Sequence, residues 1–228
     1  MKILAIDTAT EACSAALLLE GEVRERFEIQ PRKHGELILG MMDGLLAEAG
    51  LALNALDALA FGRGPGAFTG VRIATGVVQG AAFAADLPVV PVSNLAALAQ
   101  AAVRERGAHS ILPAFDARMG ELYWGVYLTG AGGLVQPAAA EQVAAPQDVM
   151  LPPDGAWHGV GSGWATYGEE LAERMGARLS AVDAHLSCRA GDVARLAAAE
   201  FVMGRAVSAE AALPVYLRDQ VAWKKSGA

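Results

Sequence analysis

The apolar positions at the start of the chain predict three strands followed by an amphipathic helix. Ile3–Asp7 is a short apolar run that is typical of a buried strand. Cys13–Glu20 and Glu22–Ile29 follow as a predicted hairpin, because apolar and charged residues alternate in its second strand. From His34 to Ala49 the spacing becomes helical, with two apolar stripes at i, i+4. The stripes consist of Leu37, Met41 and Leu45, and of Ile38, Met42 and Leu46.

Two further strand and helix pairs complete the first half of the chain. Ala58–Phe61 is a predicted strand, and after a glycine-rich loop a helix is expected from about Thr69 to Ala85. Pro88–Val92 is the next predicted strand, and Ser93 or Asn94 can cap the helix that follows it. The first half is therefore predicted to run βββαβαβα.

The second half begins with an echo of the first. Ile111–Ala117 is an apolar strand with an aspartate near its end, as is Ile3–Ala9. Glu121–Leu128 alternates and predicts a half-buried strand, with Tyr123 and Tyr127 on the face opposite to its apolar residues. The remaining predictions are a loose connection over 130–156, a strand at Trp157–Val160, helices at Gly163–Met175 and Val193–Met203, and an extended tail at Leu213–Arg218.

The echo predicts an α/β protein of two similar lobes that face a cleft. We expect an N-terminal lobe over 1–108 and a C-terminal lobe over 109–228. Hydrophobic residues make up 54% of the 228 and charged residues 19%, which excludes an intrinsically disordered chain. The mean hydropathy of +0.31 reflects glycine and alanine, because no stretch approaches the roughly 18 uncharged apolar residues of a membrane-spanning helix.

Composition also indicates the cellular setting. Asp7 interrupts the first apolar run and so disfavours a secretory signal, which leads us to expect a cytoplasmic protein without a membrane segment. Cys13 and Cys188 are too few for a disulfide framework, and both are expected to be reduced. The net charge of −7 and the scattered basic residues disfavour direct binding of a phosphate backbone. We therefore expect any nucleic acid to be held mainly by a partner.

The glycine loop at 62–72 is the segment richest in candidate chemistry. A strand, a glycine loop and a helix start can cradle a phosphate, because exposed amides and the helix dipole attract an anion. This loop lacks the lysine of a P-loop and the spacing of a dinucleotide-binding loop, and Pro65 removes one amide donor. These departures favour a structural turn over an anion site, and both interpretations stay open.

Few residues have a pattern that is typical of catalysis. The four histidines are isolated, and none belongs to a zinc-binding pair. The residues around Ser162 do not form a nucleophile elbow. Asp7 and Asp116, each near the end of a strand, can face each other across the cleft and bind Mg²⁺ or a nucleotide, or can simply cap loops. We predict no catalytic and no metal-ligating residue.

The helix predicted at 69–85 is nearly bare of large side chains. Gly76 and Gly80 lie four residues apart on one face, beside Ile73 and Val77. Each helical glycine costs about 1 kcal/mol, so close packing by another helix is expected to offset that cost. The neighbour can be a helix of the same chain or of a partner. The two apolar stripes of the 34–49 helix add surface that suits a partner.

Six motifs stand in a fixed order along the chain. The first is Ile3–Thr8 followed by Cys13, and the second is Gly64–Ile73. The others are Val92–Ala99, Asp116–Tyr123, Gly161–Trp164 and Pro214–Asp219. In this order they resemble the TsaB family, also called YeaZ, whose loop reads G-P-G-S-F-T-G-L-R; here Ala67 and Val71 replace its Ser and Leu. The loop positions that match are Gly64, Pro65, Gly66, Phe68, Thr69, Gly70 and Arg72.

The resemblance implies both a fold and a function. The fold is the two-lobed actin-like ATPase, sugar kinase and Hsp70 type, with duplicated, ribonuclease H-like mixed-sheet lobes. The function is that of a non-catalytic partner of the TsaD transferase in making N6-threonylcarbamoyladenosine in ANN-decoding tRNAs, with TsaE as an ATPase in the same complex. The family forms a helical bundle with TsaD, or a homodimer when TsaD is absent. No cofactor of its own is implied, and ATP or ADP at the complex interface stays open.

The resemblance also concerns individual positions. TsaD carries a V-N-H-x-x-x-H metal motif, and Asn94 and Leu98 take its two histidine positions in this chain. Leucine cannot ligate a metal and asparagine replaces imidazole poorly, so we expect no transferase metal site. A stand-alone ATP-binding enzyme or a glycoprotease-like hydrolase of the same fold is the alternative. The predicted interface residues on the 34–49 and 69–85 helices are Leu37, Met41, Leu45, Ile73, Val77 and Gly80.

Overall fold

The first half of the chain forms a five-stranded mixed sheet. The computed structural model describes residues 1–218. The elements are β1 (Lys2–Asp7), β2 (Ala12–Leu19), β3 (Glu22–Ile29), α1 (His34–Ala49), β4 (Ala58–Gly62), α2 (Phe68–Ala85), β5 (Val89–Val92) and α3 (Asn94–Arg106). The strand order is β3-β2-β1-β4-β5; β1, β2 and β3 pair antiparallel, whereas β1, β4 and β5 pair parallel. The predicted βββαβαβα order is confirmed.

The second half repeats this topology. Its elements are β6 (Ser110–Arg118), β7 (Glu121–Trp124), β8 (Tyr127–Thr129), β9 (Val135–Pro137), β10 (Gln142–Ala144), β11 (Trp157–Val160), α4 (Ser162–Met175), β12 (Leu179–Asp183) and α5 (Ala190–Val202). The main path of the sheet is β10-β7-β6-β11-β12, with the same pattern of antiparallel and parallel pairs as in the first sheet. Two sheets with one strand order confirm the predicted duplicated, ribonuclease H-like fold.

The predicted strand over Glu121–Leu128 is wrong in one respect, because it breaks at Gly125. The Gly125 amide donates to the carbonyl of Pro113 at 3.0 Å, and a Cβ built on Gly125 would lie 2.7 Å from the Tyr127 ring. Pro113 has no N–H with which to continue the ladder. The break reverses the alternation, so Tyr127 is buried and Leu128 is exposed, opposite to the prediction.

The region predicted as a loose connection over 130–156 contains regular structure. Strand β10 lies in it and pairs antiparallel with β7, which completes the second sheet. Strand β9 pairs with β8 at the margin of that sheet. Each of these strands has only three residues, too few for an alternating pattern to indicate a strand. Strand β12 was also not predicted, and most of its residues are exposed.

Helices α3 and α5 lie between the two sheets. Side chains of β1 alternate between two cores: Ile3 and Ala5 face α5, whereas Leu4 and Ile6 face α1 and α2. Helix α4 covers the outer face of the second sheet. The chain is therefore layered, in the order α1 and α2, first sheet, α5 and α3, second sheet, α4.

Helix α5 crosses the lobe boundary that we predicted at residue 108. It belongs to the segment predicted as the C-terminal lobe, but it packs on the first sheet. Asp192 of α5 is buried and accepts two hydrogen bonds from the Arg104 guanidinium of α3, at 3.0 and 2.9 Å. The Ala190 amide donates to Ser14 Oγ of β2 at 2.9 Å. The boundary thus separates the sheets but not the helices that cover them.

The segment after α5 returns to the first sheet and then spans both lobes. Val89 and Val207 form an antiparallel bridge, and the Val215 amide donates to the Arg63 carbonyl at 2.8 Å. The tail at Leu213–Arg218, predicted to be extended, contains neither a helix nor a strand and bends at Leu217. Asp219, the last residue of the sixth motif, lies outside the described residues, as do residues 220–228 of the predicted C-terminal lobe. Within residues 1–218, no helix combines the length and the apolar character that crossing a membrane requires.

Glycines on α2 predict opposite effects of one substitution. A Cβ on Gly70 would overlap the carbonyl oxygen of Thr8, whereas nothing lies within 4 Å of a Cβ on Gly76. Gly70→Ala is therefore expected to lower the free energy of unfolding by about 1–3 kcal/mol through overpacking. Gly76→Ala should raise it by about 1 kcal/mol through helix propensity. Urea unfolding of both variants checks this, and equal effects would contradict the described packing.

Candidate functional site

The glycine loop between β4 and α2 is held by its own chain. The Arg63 amide donates to the Val92 carbonyl at 2.8 Å, and the Ala67 amide donates to the Ala9 carbonyl at 2.7 Å. The Gly64 amide donates to Asn94 Oδ1 at 2.7 Å. These amides are therefore committed to protein acceptors rather than presented to an anion. The geometry favours the structural turn over the phosphate cradle.

A buried polar cluster lies at the end of β1. Asp7 has no exposed surface; its Oδ1 accepts from the Ala9 amide at 3.2 Å, and its Oδ2 accepts from Asn94 Nδ2 and, at 3.5 Å, from the Cys188 thiol. Burial raises the pKa of Asp7 from 3.8 to about 6, although these hydrogen bonds act in the other direction. Burial likewise raises the pKa of Cys188 well above its ordinary value. Cys13 and Cys188 are both buried and are not joined by a disulfide.

Within residues 1–218, Asp7 and Asp116 have no hydrogen-bond partner in common. Asp116 accepts hydrogen bonds from the Arg118 amide at 2.7 Å and from Arg118 Nη1 at 2.9 Å. Tyr167 Oη lies 3.5 Å from Asp116 Oδ1. None of these partners contacts Asp7, whose oxygens face Asn94 and Cys188 instead. The Asp7 carboxylate is fully buried among protein groups, and a Mg²⁺ or nucleotide site between the two carboxylates stays a prediction.

The two positions aligned with the TsaD histidines have structural roles here. Asn94 is fully buried and joins Asp7 of β1, Gly64 of the loop and Cys188 before α5. Leu98, one turn later on α3, is fully buried in the core between the sheets. Across residues 1–218, no three His, Cys, Asp or Glu side chains are grouped so as to hold a metal ion.

A second cluster, at the start of α3, was missed from the sequence. Ser93 Oγ caps α3 by accepting from the Leu95 and Ala96 amides at 3.1 and 3.3 Å, as one of the two predicted caps. The Glu141 carboxylate accepts from Ser93 Oγ and, at 2.5 Å, from Tyr127 Oη. Burial, followed by the Glu141 charge, raises the pKa of Tyr127. Glu141 thus links the second lobe to α3 by hydrogen bonds. No sequence pattern indicated this role, because Glu141 is an isolated acid in a segment rich in alanine and proline.

Two of the predicted interface residues are in the core. Met41 is 5% exposed and Leu45 is 1% exposed, because both apolar stripes of α1 are needed to cover β1 and β2. Leu37, Ile73 and Val77 are half-buried. Met41 and Leu45 were therefore wrongly assigned to an interface, whereas the interface itself remains a prediction.

The outer surface of α1 and α2 is more open than the sequence indicated. Nothing in residues 1–218 lies within 4 Å of a Cβ built on Gly40, Gly76 or Gly80, so the helix expected to pack on these glycines is not one of the described helices. Leu39 and Phe83 are exposed large apolar residues, and Phe83 is 83% exposed. We define the α1–α2 face as the exposed residues Leu39, Gly40, Arg72, Gly76, Gly80 and Phe83.

The buried Asp7 predicts a pH-dependent stability. The pKa of Asp7 is about 6 in the folded chain, whereas its ordinary value is 3.8. The protonated carboxyl therefore makes its full contribution to the free energy of unfolding below pH 3.8, and that contribution is lost as the pH rises through 6. The neutral Asp7→Asn variant should therefore gain about 1 kcal/mol of stability relative to the parent between about pH 5 and about pH 7.5. Urea unfolding at both pH values tests this.

The control is Asp116→Asn, which removes a carboxylate outside the buried cluster. Its difference from the parent should change much less over the same pH range. A constant difference between the parent and Asp7→Asn across that range would contradict the assignment of a raised pKa to Asp7.

Comparison with known proteins gives one consistent result. A family model described as "TsaD: tRNA N6-adenosine threonylcarbamoyltransferase" matches residues 27–226. The tRNA threonylcarbamoyladenosine biosynthesis protein TsaB of Escherichia coli (strain K12) is 45% identical over 228 residues, which cover 99% of this chain and 98% of that protein. The protein of the same name from Haemophilus influenzae is 44% identical over 234 residues, at 99% and 97% coverage.

Solved structures of similar proteins lead to the same family as the sequence relatives. The structure described as YeaZ from Pseudomonas aeruginosa is 52% identical, with a TM-score of 0.88, and the match covers 95% of this chain and 99% of that one. A second structure, of a Pseudomonas aeruginosa protein described as similar to peptidase YEAZ, gives a TM-score of 0.89 at the same identity and coverage. These relatives match the chain over nearly its whole length, as the six motifs indicated, and the chain belongs to the TsaB (YeaZ) family.

Proposed function

We propose that this chain is a non-catalytic subunit that binds and activates a TsaD-type transferase in the N6-threonylcarbamoyladenosine modification of ANN-decoding tRNAs. Relatives that are 45% and 44% identical over nearly the whole chain are named as tRNA threonylcarbamoyladenosine biosynthesis proteins, which supports the process. The observation that carries the proposal is the α1–α2 face, where helical glycines point outward with no described part of the chain packed on them.

Glycine in the middle of a helix needs a physical reason. Each glycine destabilises α2 by about 1 kcal/mol relative to alanine, and at Gly76 and Gly80 no contact within residues 1–218 offsets that cost. A partner helix can approach the backbone closely at such positions. Phe83 and Leu39 add apolar surface that such a helix would remove from water. This combination suits the helical bundle that the family resemblance implies.

The non-catalytic part of the proposal rests on Asn94 and Leu98. A metal-dependent transferase needs two imidazoles at these positions, and here one position holds an amide that is fully engaged in hydrogen bonds. The other holds a leucine that is buried in the core. Restoring the metal site would require displacing groups on which the loop and α5 depend. The partner therefore supplies the chemistry.

The other partners follow from the same proposal. A TsaE-type ATPase joins the complex, and the chain forms a homodimer through the α1–α2 face when the transferase is absent. With a net charge of −7, this cytoplasmic subunit leaves most of the tRNA contact to its partners. The chain has no cofactor of its own; a nucleotide in the complex would lie at a subunit interface, since protein groups enclose Asp7.

Gly80→Trp tests the proposed interface. A Cβ at this position meets nothing within 4 Å, so the variant should fold as the parent does. The bulky ring should weaken binding of the TsaD-type protein from the same organism by about 10- to 100-fold through steric overlap. Isothermal titration calorimetry measures the dissociation constant for the TsaD-type protein, and sedimentation velocity of the chain alone measures the homodimer.

Gly80→Ala is the matched control and should bind nearly as the parent does. Circular dichroism and urea unfolding establish that both variants fold. Unchanged binding and an unchanged dimer in folded Gly80→Trp would contradict the interface. The alternative, a stand-alone ATP-binding enzyme or hydrolase, predicts turnover of ATP or peptide by the isolated chain; our proposal predicts none above the protein-free blank.

A further inference from the structure

Arg72 is held in a fixed position at the edge of the α1–α2 face. Its guanidinium carbon lies 3.7 Å from the centre of the Phe68 ring, one helical turn earlier. Its Nε donates to Tyr216 Oη at 2.9 Å. The Phe68 and Tyr216 rings are 5.8 Å apart, and both remain partly exposed, at 57% and 44%. Stacking and a hydrogen bond thus restrain an arginine that stays at the surface.

Tyr216 can restrain Arg72 because its own segment is fixed. The Val215 amide donates to the Arg63 carbonyl at 2.8 Å. Two residues after Tyr216, the Arg218 guanidinium donates to the Ala117 carbonyl at 3.2 Å and pairs with Glu121. A small cavity of about 40 Å³ lies beneath the two rings, and Tyr123 of β7 is part of its lining. Tyr216 therefore lies on a backbone segment that is hydrogen-bonded to both lobes.

The outer nitrogens of Arg72 have no described acceptor. Nε takes part in the hydrogen bond to Tyr216, but within residues 1–218 neither Nη1 nor Nη2 donates to any group. No carboxylate in that part of the chain forms an ion pair with Arg72. Two parallel N–H donors on a restrained plane match the two oxygens of a carboxylate or a phosphate. Little side-chain entropy remains to be lost when such a group binds.

The surrounding charges favour a protein carboxylate over a nucleic acid phosphate. Arg72 is the only charged residue of α2, whereas α1 carries the exposed acids Glu36 and Asp43; its third acid, Glu48, pairs with Arg26 of β3. A run of phosphates laid across α1 and α2 would be repelled by the two unpaired acids of α1. A partner helix can place one acid at Arg72 and cationic or neutral residues opposite α1. The position of Arg72, one turn before Gly76, places that acid on the same helix that would cover the glycines.

We propose that Arg72 is the charged anchor of the α1–α2 face and receives, through Nη1 and Nη2, an aspartate or glutamate carboxylate from a helix of the transferase partner. This inference rests on the proposed function, because it specifies a contact within that interface. Phe68 and Tyr216 are positioning residues that orient the guanidinium. The interface then combines a close approach at the glycines with one directional ion pair that sets the register of the partner helix.

The test is the salt dependence of binding to the TsaD-type protein from the same organism. Arg72→Gln should weaken binding about 10-fold at about 50 mM NaCl. When the NaCl concentration is raised from about 50 mM to about 500 mM, the dissociation constant of this variant should rise less than that of the parent. Tyr216→Phe should weaken binding about threefold, because it frees Nε. Arg24→Gln, which changes an exposed arginine on β3, is the matched control and should bind as the parent does.

Three outcomes overturn the inference. Binding of folded Arg72→Gln with the affinity and salt dependence of the parent would do so, as would a loss of tRNA binding in that variant without a loss of partner binding. An Asp219→Asn variant that binds as weakly as Arg72→Gln would indicate a carboxylate of the same chain instead. Gly80→Trp separates this inference from the proposed function. If Gly80→Trp binds weakly and Arg72→Gln binds as the parent does, only the role of Arg72 as anchor is contradicted. If both variants bind as the parent does, the proposed interface itself is contradicted.

Discussion

The buried amide of Asn94 is the interaction on which the rest of the site depends. It joins the end of β1 at Asp7, the glycine loop at Gly64 and the segment before α5 at Cys188. Without a partner, the Asp7 carboxylate would be buried and unsatisfied, which is costly in a protein interior. With it, the loop is fixed against β1 and α2 begins at a defined point. The residue aligned with a metal ligand in the transferase thus serves the fold in this chain.

From that fixed loop, α2 divides its glycines between two tasks. Gly70 allows the helix to touch the backbone of Thr8, so no larger residue fits there. Gly76 and Gly80 point away from the chain and lie beside Arg72 and Phe83 on an exposed surface. The first contact sets the direction of the helix and thereby determines where the outward glycines are presented. The close contact between Gly70 and Thr8 therefore determines both the packing of α2 in the first lobe and the position of the proposed recognition surface.

The sequence allowed the topology to be predicted better than the contacts. Strands β1, β2, β4 and β5 carry clear apolar runs and β3 alternates apolar and charged residues, so their order along the chain followed from pattern and spacing. The break at Gly125 depends on Pro113 in the neighbouring strand, a non-local contact that periodicity cannot indicate. Met41 and Leu45 were assigned to the surface because a broad apolar stripe looks alike whether the chain or a partner covers it. Glu141 reaches Ser93 from 48 residues away, and only tertiary structure brings them together.

The most direct test of the account is tRNA threonylcarbamoylation in a reconstituted mixture. The mixture contains the TsaC-, TsaD- and TsaE-type proteins of the same organism with tRNA, ATP, threonine and bicarbonate, and the modified nucleoside is measured with and without this chain. The account predicts that modification requires the chain, although the chain alone transfers and hydrolyses nothing. Equal modification in its absence would contradict the account, and the buried cluster around Asp7 would then have to be reconsidered as an independent site.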